Sequence, residues 1–151
     1  MVGVLLISHG KMAEGMLDSS KLLLGDILEK VTALGLTENM SPEQFDELLK
    51  EKIDSVDEGN GVIIMCDLIS GTPFNRCMLN YSANENIKLI TGMNFPMLLE
   101  LLGMRFSIDD IKQIDIDKLI ETGKSGITSL DKILEQSKNK KRRVKTKEGV
   151  D

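Results

Sequence analysis

The stretch Val62-Ile63-Ile64-Met65-Cys66-Asp67-Leu68-Ile69-Ser70-Gly71-Thr72-Pro73 decides the reading of the fold. It opens on an unbroken apolar run that follows Gly59-Asn60-Gly61 and stops at an acid, the pattern of a strand buried on both faces of a sheet. A loop, Leu68 to Thr72, leads to Pro73, whose fixed φ and missing N–H suit the first turn of a helix. Toward the N-terminus, Val2 to Ser8 repeats the pattern and ends at His9-Gly10. Ala13, Met16, Leu17, Leu22, Leu23 and Leu24 then mark a helix over residues 12–24, with Gly25 as its C-cap. Val31 to Leu36 reads as a strand. Ser41, Pro42 and Gln44 supply an N-cap, a proline at the first helical position and a capping-box partner for a helix carrying Phe45, Leu48, Leu49, Ile53 and Val56. Toward the C-terminus, Ile87 to Thr91 is a fourth strand, and Pro96 opens a helix through Leu98, Leu99, Leu101 and Leu102.

This alternation argues for an α/β fold: an open, mostly parallel sheet with right-handed crossovers and helices on both faces. One reversal of strand order gives 2-1-3-4. Beyond Ile108 the pattern is less decisive. Ile116, Leu119, Ile120, Ile127, Leu130 and Leu134 fall on a helical stripe that Gly123 and Gly126 interrupt. Residues 127–134 therefore fit either a helix or a short antiparallel edge strand, and periodicity leaves both open. Residues 1–136 are expected to form one domain, and residues 137–151 have the composition of a disordered tail.

Composition narrows the chemistry. The 151 residues carry a formal charge of −5, but residues 137–151 hold seven Lys/Arg against two acids, which leaves residues 1–136 with 12 Lys/Arg against 22 acids. Aromatic residues make up 3% and there is no Trp, so a base-stacking platform is not expected and no nucleic-acid partner is assigned. A single histidine, His9, excludes a multi-histidine metal site; no metal and no cofactor are expected. Cys66 and Cys77 fit neither a C-x-x-C pair nor a zinc framework and read as reduced, buried small hydrophobes. The apolar N-terminus is too short for a signal sequence and no stretch is long enough to span a bilayer, so a cytoplasmic protein without membrane insertion is expected.

In an open parallel sheet, ligands bind beyond the carboxyl ends of the strands where the strand order reverses. With order 2-1-3-4 the first and third strands are neighbours about 5 Å apart, which brings His9 and Asp67 within contact range. Asp67 then takes the Nδ1 hydrogen, fixes the tautomer and leaves Nε2 as a nucleophile. The loop Ser70-Gly71-Thr72 runs into a helix N-terminus, where unpaired N–H groups and the positive dipole end favour an anion. Gly71 permits close backbone approach and Thr72 adds a hydroxyl donor. Each residue alone has an ordinary structural explanation, as a core histidine, a turn aspartate or a helix-start loop. Their joint placement at one switch point points instead to a phosphoryl group carried on histidine. Thr122-Gly123-Lys124-Ser125 is no P-loop, because Lys118 stands where that motif needs glycine.

At these residues the sequence resembles the IIA component of the mannose/fructose/sorbose family of the bacterial phosphoenolpyruvate-dependent sugar phosphotransferase system. The likeness is carried by Ser8-His9-Gly10, by Cys66-Asp67 with Ser70-Gly71-Thr72-Pro73-Phe74-Asn75, and by Gly92-Met93-Asn94-Phe95-Pro96-Met97-Leu98-Leu99-Glu100. The resemblance implies a phosphotransferase of the phosphocarrier kind: His9 accepts a phosphoryl group from phospho-HPr and passes it to a IIB component, Asp67 orients the imidazole, and Thr72 matches the hydroxyl residue of the phosphate loop. It also implies a homodimer with an exchanged C-terminal edge strand, here near Ile127 to Ile133. Ile69, Phe74 and Met12 are candidates for an apolar docking rim. Two alternatives remain: the phosphocarrier subunit of a dihydroxyacetone kinase system, which resembles the same family, and a non-catalytic signalling domain of flavodoxin-like shape.

Overall fold

β1 (Gly3–His9) and β3 (Val62–Cys66) form the centre of the sheet in a computed structural model that describes residues 1–25 and 28–148. β2 (Val31–Leu36) pairs with the outer side of β1, and β4 (Ile87–Ile90) with the outer side of β3. All three pairings are parallel and the strand order is β2-β1-β3-β4, as expected from the sequence. The register sets Ile7 opposite Cys66, so the two central strands end side by side.

Burial follows the two-residue period of each strand. Val4 and Leu6 of β1 join Ile63 and Met65 of β3 in one core, while Leu5 and Ile7 join Val62, Ile64 and Cys66 in the other. All nine are fully buried, which is why both strands read as continuous apolar runs. The first core is closed by α1 (Met12–Leu24), α4 (Phe95–Met104) and α5 (Ile116–Ser125) through Ala13, Met97, Leu101 and Leu119. The second is closed by α2 (Pro42–Val56) and α3 (Thr72–Tyr81) through Phe45, Leu49, Ile53 and Cys77. Helices thus cover both faces.

The start of α2 is the clearest case of local sequence writing local structure. Ser41 Oγ accepts the Gln44 N–H at 3.1 Å and Gln44 Oε1 accepts the Ser41 N–H at 2.8 Å, a reciprocal capping box with Pro42 at the first position. Arg76 on α3 grips Asp46 on α2, with Nε donating to Oδ1 at 2.9 Å and Nη2 donating to Oδ2, so the two helices of that layer are fastened together. These hydrogen bonds hold the Asp46 carboxyl below its usual range.

At the C-terminus the structure decides one open reading and differs from one expectation. Among the described residues no antiparallel edge strand forms: residues 127–129 are irregular and α6 (Leu130–Glu148) begins at Leu130, so β4 keeps an open edge. The basic segment expected to be disordered is helical from Ser137 to Glu148 as the continuation of α6; residues 149–151 of that tail lie outside the described residues. Both outcomes have the same cause. No Gly or Pro occurs between Ile127 and Glu148, and Leu, Lys, Arg, Gln and Glu lie close to alanine in helix propensity.

Candidate functional site

The last residue of β1, His9, and the first residue beyond β3, Asp67, meet at the carboxyl end of the sheet. His9 Nδ1 lies 2.8 Å from Asp67 Oδ2, and the same oxygen accepts the His9 backbone N–H at 2.9 Å. Asp67 Oδ1 accepts the Leu68 N–H at 2.8 Å and the weaker Cys66 thiol at 3.5 Å. The carboxylate side chain is only 8% exposed, whereas the imidazole is 44% exposed. Burial by itself pushes the Asp67 carboxyl up, but the hydrogen bonds from His9, Leu68 and Cys66 outweigh it, and the pKa lies below the ordinary value of 3.8. Facing a carboxylate, Nδ1 carries the ring proton and donates it, which leaves the lone pair on Nε2.

Nε2 looks onto the start of α3. Gly71 stands at the N-cap with φ +100° and ψ 172°, a conformation essentially reserved for glycine. It passes so close that a Cβ would sit 2.8 Å from both Cε1 and Nε2 of His9. No side chain caps this helix, and Pro73 in its first turn has no N–H. The Thr72 and Phe74 N–H groups are therefore left without intrahelical partners at the positive end of the helix dipole.

Of the residues singled out from the sequence, His9, Asp67 and Gly71 come together directly. Thr72 is the first residue of α3 and half-buried, and Ser70 is exposed in the loop before it. The hydrogen bonds recorded within the His9–Asp67 pair do not include the side chains of Ser70 or Thr72. Leu68 and Ile69 project from the same loop, 56% and 71% exposed, and Met12 at the start of α1 is also exposed; Phe74 is half-buried. Among the described residues no group of three His, Cys, Asp or Glu could hold a metal, and no helix is long and apolar enough to cross a membrane.

Four supporting features are not legible in the sequence. Ser8 is fully buried, and its Oγ accepts the Ala13 N–H at 2.8 Å while donating to the Gly10 carbonyl at 3.3 Å, so it caps α1 and pins the turn that carries His9. Gly35 in β2 leaves room for that turn, since a Cβ there would meet the Gly10 carbonyl oxygen at 2.0 Å. A glycine inside a strand is the available signal for such an approach. Asn94 accepts the Met97 N–H at 3.0 Å as cap of α4 and donates to the Gly123 carbonyl at 2.8 Å, fastening α4 to α5. The Met93 N–H bonds the Cys66 carbonyl at 3.0 Å, so the Gly92-to-Glu100 segment buttresses the end of β3 from outside the pair.

Known proteins agree with this architecture. The crystal structure of the PTS IIA protein associated with the fucose utilization operon from Streptococcus pneumoniae superposes with a TM-score of 0.77 at 26% identity, covering 89% of this chain and 99% of that one. The PTS system mannose-specific EIIAB component of Escherichia coli is 29% identical over 131 residues, 85% of this chain but 39% of that protein, so the chain spans well under half of that relative. The PTS system fructose-specific EIIA component of Bacillus subtilis is 23% identical over 105 residues, 70% of this chain and 71% of that protein. A sequence model described as the PTS system fructose IIA component matches residues 3–116, the span that holds the whole sheet, most of both cores and the His9–Asp67 pair, and on that match the chain belongs to the EIIA family of the PTS.

Proposed function

We propose that the chain is a phosphocarrier of a phosphoenolpyruvate-dependent sugar phosphotransferase system, accepting a phosphoryl group on His9 Nε2 from phospho-HPr and delivering it to a IIB component. The observation that carries the reading is the fixed imidazole: Asp67 holds Nδ1 at 2.8 Å and leaves Nε2 beside Gly71 and the uncapped start of α3. The Nε2 lone pair forms a bond to phosphorus as the bond from phosphorus to the donor's imidazole nitrogen breaks, and the donor nitrogen keeps that electron pair. The positive charge that then develops on the His9 ring faces the Asp67 carboxylate. The phosphoryl oxygens face the N–H groups of Thr72 and Phe74, with the Thr72 and Ser70 hydroxyls as further donors. Delivery to the IIB component reverses these steps. Transfer of this kind asks the protein for alignment and charge stabilisation rather than covalent help.

A carrier must meet donor and acceptor in turn, and the exposed imidazole with Leu68, Ile69 and Met12 around it suits an open docking surface. The acidic domain adds an electrostatic attraction for basic partner surfaces. The reading includes a cytoplasmic location and a homodimer. The open edge of β4, with a groove of about 400 Å³ lined by Ile69, Phe74, Leu89, Ile90, Ile116 and Ile120, supports a second copy seated there. The mannose, fructose and fucose in the relatives' names belong to those proteins.

Incubation with phosphoenolpyruvate, enzyme I and HPr tests the proposal. One acid-labile, alkali-stable phosphate per chain is expected, with none on the His9→Ala variant. Full labelling of that variant would remove His9 from the mechanism.

A further inference from the structure

α6 takes no part in the proposed carrier chemistry, and its composition is unlike the rest of the molecule. Seven Lys/Arg fall between Lys138 and Lys147, all exposed. None of them appears in an ion pair among the described residues. At about 100° per residue, Leu130, Ile133, Leu134 and Val144 share one arc of roughly 100° with Ser137 and Lys141. These four apolar side chains are exposed by 68%, 49%, 52% and 54%. The helix therefore offers an apolar cluster at Leu130, Ile133 and Leu134, beside Asp131 and Glu135, followed by a densely cationic stretch in which Ser137 and Lys141 interrupt the apolar arc before Val144.

Its root lies at the same end of the sheet as His9. Gly126, just before the root, packs so tightly on Pro96 that a Cβ would come within 2.5 Å of the proline Cγ, and Pro96 follows Asn94, the cap of α4 beside the end of β3.

We propose that α6 is a docking helix for an anionic lipid surface, lying in the headgroup layer with Leu130, Ile133, Leu134 and Val144 inward and its Lys and Arg side chains against lipid phosphates and carboxylates. Both halves of the pattern are used: the cations supply attraction, and the stripe supplies burial, with the Lys141 stem reaching back to the headgroups. A nucleic acid would satisfy the charge but leave the stripe in water, and the helix has no aromatic residue to stack on bases. The acidic surface of a second copy is the weaker fit, since among the described residues the helix forms no ion pair with the acidic domain it is attached to. Residues 1–129 hold 11 Lys/Arg against 20 acids, so the same surface that attracts α6 repels the domain. The carrier is thereby held near the membrane but off its plane.

The test uses the full chain and cosedimentation with vesicles of phosphatidylcholine containing phosphatidylserine, against vesicles of phosphatidylcholine alone. Binding to the anionic vesicles only, released when salt shortens the Debye length to about 3 Å, is expected. Each cation near such a surface contributes about five-fold. Replacing Lys140, Lys141, Arg142 and Arg143 together by Gln should therefore weaken binding by about 10²- to 10³-fold, while phosphorylation by HPr is unchanged. Ile133→Ser with Leu134→Ser keeps the charge and should weaken binding about ten-fold or more. Equal binding to neutral vesicles, no vesicle binding, an unaffected Ser variant, or tighter binding to a DNA duplex than to vesicles would each overturn the proposal.

Discussion

Substituting Gly71 by Ala tests the geometry of the site at its narrowest point. Two costs follow from the structure. The backbone at φ +100° and ψ 172° is disfavoured for any residue with a Cβ, by about 1–3 kcal/mol. The new Cβ would lie 2.8 Å from His9 Cε1 and Nε2, closer than real contacts allow, so the ring must turn or the loop retreat. A turned ring gives up its hydrogen bond to a buried carboxylate, which is worth about 1.5–3 kcal/mol. A retreated loop takes the α3 N–H groups away from Nε2. Either way phosphoryl transfer should slow by about 10- to 100-fold, at about 1.4 kcal/mol per decade. Gly59→Ala is the control, because Gly59 also has positive φ, at +90°, but has open space where its Cβ would go and lies in the turn after α2, away from His9. Urea unfolding should show both variants destabilised, and rapid-quench transfer from phospho-HPr should show only Gly71→Ala slowed. Equal transfer rates for the two variants would refute the account of Gly71 as the wall of the acceptor site.

Asp67→Asn retains the shape but presents an amide that can donate to Nδ1 and move the ring proton to Nε2; a folded protein with transfer slowed at least about ten-fold is expected by rapid quench. Because the folded pKa of Asp67 lies below the unfolded one, its contribution to stability is present above pH 3.8 and is lost as pH falls through the folded value. The stability gap between wild type and Asp67→Asn in urea melts should therefore close in acid; a gap independent of pH would contradict the hydrogen-bonding scheme. Burial pushes the thiols of Cys66 and Cys77 each up to about 12, so iodoacetamide at pH 8 should label neither in the native protein and both after denaturation; rapid native labelling would show the second core to be open. Ser8→Ala removes the acceptor of a buried N–H and should cost about 1–3 kcal/mol in chemical denaturation; a smaller loss would mean that Ala13 finds another partner.

The central part of the fold is legible because burial on both faces leaves few options for β1 and β3, and because the capping box at Ser41 and prolines 42, 73 and 96 punctuate the helices. His9 and Asp67 could be paired from the sequence because strand order alone makes neighbours of their strands. The buttress around them was not legible. A serine before a chain reversal reads the same whether its hydroxyl points to solvent or caps the next helix, as Ser8 does. The C-terminal tail departs from the disorder its composition suggests for a different reason. Charge-rich composition signals a lack of core-forming residues, and α6 indeed packs no core, yet Lys, Arg and Glu still favour helical backbone.

The most direct test of the carrier reading is the nitrogen that holds the phosphate. With ¹⁵N-labelled histidine there is one ring to observe, and its spectrum before and after incubation with phosphoenolpyruvate, enzyme I and HPr reports both nitrogens. The structure predicts phosphate on Nε2 and a proton on Nδ1 bonded to Asp67. Phosphate on Nδ1, or a phosphorylated chain with an unchanged His9 ring, would contradict it.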